Sequence, residues 1–264
     1  VTRWLVARGK RLEWAHWGPA PADAPTIVLL HEGLGCLGLW RDFPERLAAA
    51  TGFGVMAWSR AGYGQSDPAD LPRPLDYMTR EATHVLPQVL AATGFRRGIL
   101  MGHSDGATIA LEYAGRVFDP RIRGLVVMAP HTFAEPMGLA EIARARAAFQ
   151  GGLRERMAKW HRDPDHTFAG WNDAWLDPAF ANWNVTEVID YLRVPVLAIQ
   201  GRQDQYGTLA QIAEIEARSY APVETLILDD CRHAPHQDQP EAVLAAVADF
   251  CARLERIEAA RPDA

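Results

Sequence analysis

Cysteine is scarce in this chain: Cys36, Cys231 and Cys251 are the only three among 264 residues, and none has the short paired spacing of a metal or disulfide motif. That excludes a disulfide framework and a cysteine-based metal site, and a reducing compartment, the cytoplasm, is the simplest setting. Long apolar runs are missing as well. No stretch reaches the roughly 20 residues of a membrane span. The opening "VTRWLVARGKRLEWAHWG" alternates and carries Arg and Lys where a secretory signal would carry an apolar core. Because the chain opens on Val1 and not on Met, removal of an upstream segment stays open. Positive charge is not in excess either: 27 Lys and Arg against 33 Asp and Glu give a net charge of -6. Nucleic acid and anionic membranes are therefore poor partners. Repeats and low-complexity tracts are absent, and nothing in the composition fixes an oligomeric state.

What is present fits one large α/β domain. Hydrophobic residues make up 48% and charged residues 23%, enough for a substantial core without staples. Trp4 to Ala7 and Leu12 to Trp17 alternate as a hairpin turning at Arg8-Gly9-Lys10. "TIVLLH" and "GVMAWS" are continuous apolar runs, the pattern of strands buried on both faces of a mostly parallel sheet. Helical spacing covers Leu39 to Ala50 and Asp76 to Thr93, then Asp105 to Val117 after the Ile99 strand. "RGLVVMA" follows as a strand. The alternation stops after Pro130 and resumes with "VPVLAIQG", a helix over Leu209 to Ser219, "ETLILD" and a last helix from Pro240 to about Glu255. The tail "AARPDA" is expected to fray.

Strand and helix alternating in this order imply a doubly wound sheet, with the site at the carboxyl ends of its strands. Residues 1–130 and 194–264 form the core, and 131–193 read as a helical lid inserted above that edge. The insertion holds Trp160, Trp171, Trp175 and Trp183, four of the nine tryptophans. They either line a substrate pocket or hold a small helical subdomain together.

The stretch "RRGILMGHSDGATIALEYAG" places Ser104 between Gly102 and Gly106 where a strand gives way to a helix. That is the G-x-S-x-G pattern of a nucleophile elbow, whose tight turn favours flanking residues without side chains. A serine hydroxyl needs a base, and the base needs an acid to orient it. Asp204, just past "VPVLAIQG", and His233, just past "ETLILD", supply them in the order Ser, Asp, His. The N-H of Asp105, at the start of the following helix, is a candidate oxyanion donor.

With these residues in register with "HEGLG", "GYGQSD", "GHSDG", "GRQD" and "RHAPHQDQP", nearly the whole chain resembles the α/β-hydrolase fold superfamily. The resemblance implies a serine hydrolase acting on a small molecule, and with no metal-ligand cluster in the sequence a cofactor-free, metal-free enzyme is expected. It implies that Gly33 supplies the second oxyanion N-H and that Glu32 stands where glycine is usual. A carboxylate there is expected to turn away or to pair with a cation such as Arg60. Arg232 replaces the glycine common before the catalytic histidine. His236 rivals His233 as base, but His233 comes sooner after the strand and fits the family pattern better. His103 is expected to pack, and His16, His84, His161 and His166 to be surface or subdomain residues. Asp105 complements the helix start or, as in valacyclovirase-like hydrolases with a similar Ser-Asp-Gly elbow, meets a donor on the substrate. His131 joins Glu32, Trp160, Trp171 and Trp175 as a pocket candidate.

The implied activity is hydrolysis of a small, largely apolar carboxylic ester or related acyl compound. A carbon-carbon bond hydrolase acting on a dienoate-type diketone is the alternative, weakened by the absence of a Ser-Gly-Pro-Gly-like loop. A dehalogenase would want a carboxylate where Ser104 stands. "GLGCLG", Gly33 to Gly38, formally fits a dinucleotide turn, but the next strand ends Ala57-Trp58-Ser59-Arg60 without the acid that would hold a ribose. A binding protein that has lost turnover would leave Ser104, Asp204 and His233 without a purpose.

Overall fold

The computed structural model describes residues 1–260, so the last four residues of the expected frayed tail, 261–264, lie outside the described residues. Strands β1 (Arg3–Ala7) and β2 (Lys10–Trp17) form the hairpin. Arg8 and Gly9 both take positive φ, 50° and 74°, the turn whose twist suits antiparallel strands. Six more strands follow: β3 (Thr26–Leu30), β4 (Gly54–Trp58), β5 (Gly98–His103), β6 (Ile122–Met128), β7 (Val196–Gly201) and β8 (Val223–Leu228). They make one sheet in the order β1-β2-β4-β3-β5-β6-β7-β8. The pairings β1/β2 and β2/β4 are antiparallel, and the rest are parallel. Every residue of β3, β4, β5 and β7 is buried, because helices cover both faces.

On one face, α1 (Phe43–Thr51) and α10 (Pro240–Ala259) close over Ile27, Met101 and Val126. On the other, α2 (Tyr77–Arg80), α3 (Leu86–Ala92), α4 (Asp105–Arg116) and α8 (Ala210–Arg218) close over Val28, Leu100 and Leu125. Between β6 and β7 the chain forms α5 (Pro136–Ala148), α6 (Arg154–Met157) and α7 (Pro164–Trp175), then two 3-10 turns, Pro178–Asn182 and Thr186–Tyr191. The second turn packs on α4, where Val188 and its carbonyl fill the space a side chain at Gly115 would need. The short α9 (Pro235–Asp238) precedes α10. No helix among the described residues is long and apolar enough to cross a membrane.

Three helices differ from the sequence pattern. The helix expected from Leu39 starts instead as a 3-10 turn, Leu37–Trp40, broken at Arg41 (φ 52°), and α1 begins afresh with Pro44 in its first turn. The helix over 76–93 contains a π turn, Glu81–Val85, in which the Leu86 N-H reaches back to Glu81 O. Pro87, one residue on, has no N-H to offer the carbonyl four residues before it, and the wider turn accommodates its ring. The last helix runs on past Glu255 to Ala259, and Glu258 on this extension pairs with Arg97 and Arg123.

Candidate active site

Ser104 sits between β5 and α4 at φ 54° and ψ -118°, a region that costs a non-glycine residue about 1–3 kcal/mol. The surroundings hold it there. A Cβ on Gly102 would collide with the backbone of Gly106, and one on Gly106 with the carbonyl of Leu30, both under 3.0 Å. The glycines are thus a consequence of backbone approaching backbone. The Ser104 N-H donates to Met128 O at 2.9 Å, tying the turn to the end of β6.

Ser104 Oγ lies 2.9 Å from His233 Nε2. His233 Nδ1 lies 2.8 and 2.9 Å from the two carboxylate oxygens of Asp204. A carboxylate accepts, so the imidazole proton is on Nδ1 and the Nε2 lone pair faces the hydroxyl. Burial pushes the Asp204 carboxyl up, but the His233 hydrogen bonds and the Tyr206 N-H, 2.8 Å from Oδ1, outweigh it and leave the pKa below the ordinary value. The order of the chain brings this about: Asp204 follows β7, His233 follows β8, and both loops turn back over the carboxyl end of β5. The left-handed residue before His233 is Asp230 (φ 53°) and not Arg232, so this turn needs no glycine at 232.

Ser104 and His233 floor a cavity of about 640 Å³, with Asp204 behind His233. Gly33, Glu32, Asp105 and His131 lie in its wall, and so do Trp160, Trp171 and Trp175 from the segment between β6 and β7. The sequence candidates therefore meet in one place, except that Asp204 touches it only through His233 and Trp183 stays outside, stacked on Phe180 with centroids 5.1 Å apart. The N-H of Asp105 opens α4 and has no turn of helix before it to accept its proton. Its carboxylate takes a hydrogen bond from Tyr77 Oη, which itself accepts from Trp175 Nε1 at 3.0 Å. The other oxygen, Oδ1, is buried without a partner. Burial raises the Asp105 pKa, against the lowering pull of Arg60 and the Tyr77 bond.

Glu32 and Arg60 do not pair through their charges. Glu32 curls back so that its carboxylate accepts the Leu34 N-H at 2.5 Å, while the Arg60 guanidinium bonds only the carbonyls of His31 and Glu32. Burial raises the pKa of Glu32, only partly offset by the Leu34 bond.

His236 is the wrong side of its own turn to serve as base. It packs against Trp40 and Phe43, with ring centroids 4.9 and 5.4 Å away, and burial with His233 nearby pulls its pKa down to about 3. His131 is likewise buried, edge-on to Trp175, and its pKa falls to about 3 for the same two causes. His103 packs, as expected, but also bonds His233 O through Nε2 at 2.6 Å and so holds the loop that carries His233. His161 is neither a surface residue nor confined to the segment between β6 and β7. It is buried and joins that segment to the floor, Nδ1 accepting the Gly64 N-H at 3.0 Å and Nε2 donating to Leu34 O at 2.9 Å. Tyr77 and Tyr206, whose ring lies 4.6 Å from His233, escaped the sequence reading because neither carries a local motif. Among the described residues no three His, Cys, Asp or Glu side chains group as a metal site would require. The glycines of "GLGCLG" serve packing: Trp171 lies on Gly33 and Trp160 on Gly38, and only a 3-10 turn follows where a dinucleotide fold would start a helix.

The model of the Alpha/beta hydrolase family matches residues 27–246. The chain belongs to that family. As an α/β hydrolase it is 25% identical over 267 residues to epoxide hydrolase 3 of Xenopus tropicalis, covering 86% of this chain and 71% of the relative. It is 24% identical over 188 residues to the serine hydrolase BPHL of Mus musculus, covering 64% of this chain and 61% of that one. The enol-lactonase from Burkholderia xenovorans LB400 shares the fold at a TM-score of 0.75 and 19% identity, over 95% of this chain and 100% of that one. This α/β hydrolase is an enzyme of the superfamily whose cavity has the size of a small-molecule site. A second cavity of about 640 Å³ opens at the opposite edge of the sheet, between the amino ends of β6 and β7 and the carboxyl end of α10, and has none of the candidate residues in its wall.

Proposed function

We propose that this α/β hydrolase is a serine hydrolase that cleaves a small, largely apolar carboxylic ester or related acyl compound through an acyl-enzyme on Ser104. The observation that carries the reading is the continuous line of hydrogen bonds from Ser104 Oγ on the cavity floor through His233 to Asp204 behind it. His233 takes the serine proton as Oγ attacks the carbonyl carbon, and returns it to the leaving alcohol as the tetrahedral intermediate collapses. Water then repeats the sequence on the acyl-serine, with His233 again the base. Asp204 stays ionised throughout, holding the tautomer and the charged imidazole. The N-H groups of Gly33 and Asp105 receive the oxyanion.

Chemistry favours an acyl substrate over an epoxide or a halide. Serine opening an epoxide would leave an alkyl ether, which water does not cleave under mild conditions, whereas an acyl-serine is an ester and turns over. Residues 131–193 act as the lid in this reading, because Trp160, Trp171 and Trp175 supply the apolar wall. The unpartnered Asp105 Oδ1 supports a substrate bearing a hydrogen-bond donor near the scissile carbonyl. Three buried, unpaired cysteines support a reducing, cytoplasmic setting.

Reaction with a fluorophosphonate followed by mass spectrometry tests the reading. Ser104 should carry the single adduct, and Ser104→Ala should lose about 10⁴-fold or more in kcat/KM on chromogenic esters while melting as wild type. Unchanged ester hydrolysis in that variant would remove Ser104 from the chemistry, and failure of the wild-type protein to label would favour an inactive binding protein.

A further inference from the structure

Arg60 is among the largest side chains fully buried in the protein, 1% exposed, and its Nε has no partner. A guanidinium is costly to bury, and an apolar residue would fill the same volume more cheaply. Its bonds show what the charge is for. The Arg60 main-chain N-H donates to His31 Nε2 at 3.1 Å, Nη1 donates to His31 O at 2.6 Å, and Nη2 donates to Glu32 O at 3.1 Å. An N-H only donates, so His31 Nε2 accepts and the imidazole proton resides on Nδ1. His31 Nδ1 lies 2.8 Å from Glu32 O and donates to it. One carbonyl oxygen thus receives two donors, one from each side chain, which fills both of its lone pairs.

The peptide joining Glu32 to Gly33 is planar, and in a trans peptide the N-H points opposite to the C=O. Gly33 lines the cavity beside Ser104, whereas Arg60 does not. Pinning Glu32 O toward the interior therefore aims the Gly33 N-H at the cavity. The cation on the oxygen also polarises the amide and makes its hydrogen a better donor. We infer that Arg60 and His31 are positioning residues that clamp the Glu32–Gly33 peptide so that its N-H meets the oxyanion. The inference rests on the acyl-enzyme reading above and adds the device that fixes one of its two donors. The carboxylate of Glu32 is kept out of the way by its bond to Leu34 N-H, so the same residue contributes a carbonyl to the clamp without placing its charge in the hole.

The test compares Arg60→Lys, His31→Leu and His31→Asn with wild type, each checked for cooperative melting. Removing an oxyanion donor costs about 10²–10³-fold in kcat, and a misaimed one should cost about 10- to 100-fold. Arg60→Lys and His31→Leu should lose that much in kcat, in fluorophosphonate labelling rate and in affinity for a trifluoromethyl ketone. Their KM and their affinity for the product acid should stay within about 3-fold, since those report ground-state binding. His31→Asn, which restores a donor near the Nδ1 position, should recover most of the loss relative to His31→Leu. Folded variants that label at the wild-type rate, or that lose ground-state and transition-state affinity equally, would overturn the clamp. Failure of wild type to label would sink the Ser104 reading alone. The Gly33 amide signal in a ¹⁵N-¹H spectrum would then decide the clamp separately: it should move in Arg60→Lys and His31→Leu, and an unmoved signal would refute it.

Discussion

The floor and the roof of the cavity are held by different forces. On the floor, at the ends of β3 and β5, backbone lies against backbone, and neither Gly102 nor Gly106 has room for a methyl group. The roof, built from the segment between β6 and β7, is held mainly by side chains. Phe149 stacks on Phe168 with centroids 4.1 Å apart, Trp175 leans on Phe180 at 4.6 Å, and Asn172 bonds the carbonyl of Ile142 to join α5 and α7. At the kink between α5 and α6, nothing lies within 4 Å of a Cβ built on Gly151. Side-chain packing can be exchanged for other packing at modest cost, whereas a backbone contact offers no substitute. A fold can therefore keep one floor under many roofs, and in the proposed reading chemistry belongs to the first and selectivity to the second. Several hydrogen bonds stitch the parts together, among them Trp175 to Tyr77, His161 to Gly64 and Leu34, and Thr167 to Gly62 O.

The sharpest way to break this contrast is to remove one residue from each side. His233→Ala should lower kcat by about 10³–10⁴-fold with little change in KM, whereas Trp171→Ala should act mainly on KM. A kcat loss in Trp171→Ala as large as that in His233→Ala would show that the roof carries chemistry. The second comparison concerns stability. Gly106→Ala should destabilise by about 3 kcal/mol or prevent folding, and Gly151→Ala should stay within about 0.5 kcal/mol, both read from denaturant midpoints. Similar midpoints for the two variants would dissolve the distinction between backbone and side-chain packing.

The smallest effect separates the two histidines of the last loop. Burial and the neighbouring His233 hold His236 neutral down to about pH 3, while in the unfolded chain its pKa is about 6.5. Below that value the unfolded chain binds a proton the folded protein refuses, so stability falls as pH drops through the window between the two. His236→Phe, packed on Trp40 and Phe43, should flatten this decline, visible as a higher melting temperature than wild type near pH 5. Its ester hydrolysis at neutral pH should remain within about 10-fold of wild type, far above His233→Ala. Equal acid sensitivity in the variant would mean that His236 does not carry the linkage.

Much of the floor was legible before any coordinates. Continuous apolar runs marked β3, β4, β5 and β7, because strands buried on both faces have no polar side to show. The glycines around Ser104 were readable for the same reason that they are needed, since a methyl group does not fit. Asp204 and His233 were readable from their places just past strand ends. What stayed hidden depends on distant partners. Arg60 reads only as a possible charge partner for Glu32 until its burial is known, Tyr77 as one aromatic on a helix face, and the π turn before Pro87 as unbroken helix. The Glu32 carboxylate could have faced Arg60 or its own loop, and only the local path of residues 32–34 decides between them.

By itself, then, the order of residues determined the alternation of strand and helix, the corner at Ser104 and the chemical types placed at three loops, because these depend on period, on steric room and on proximity along the chain. Tertiary structure alone decided how close His233 comes to the hydroxyl, which carbonyls the guanidinium bonds and that Trp183 stays outside the cavity. Those outcomes turn on angstrom-scale separations between groups up to about 130 positions apart, and such distances are products of the packed core that no spacing along the chain records.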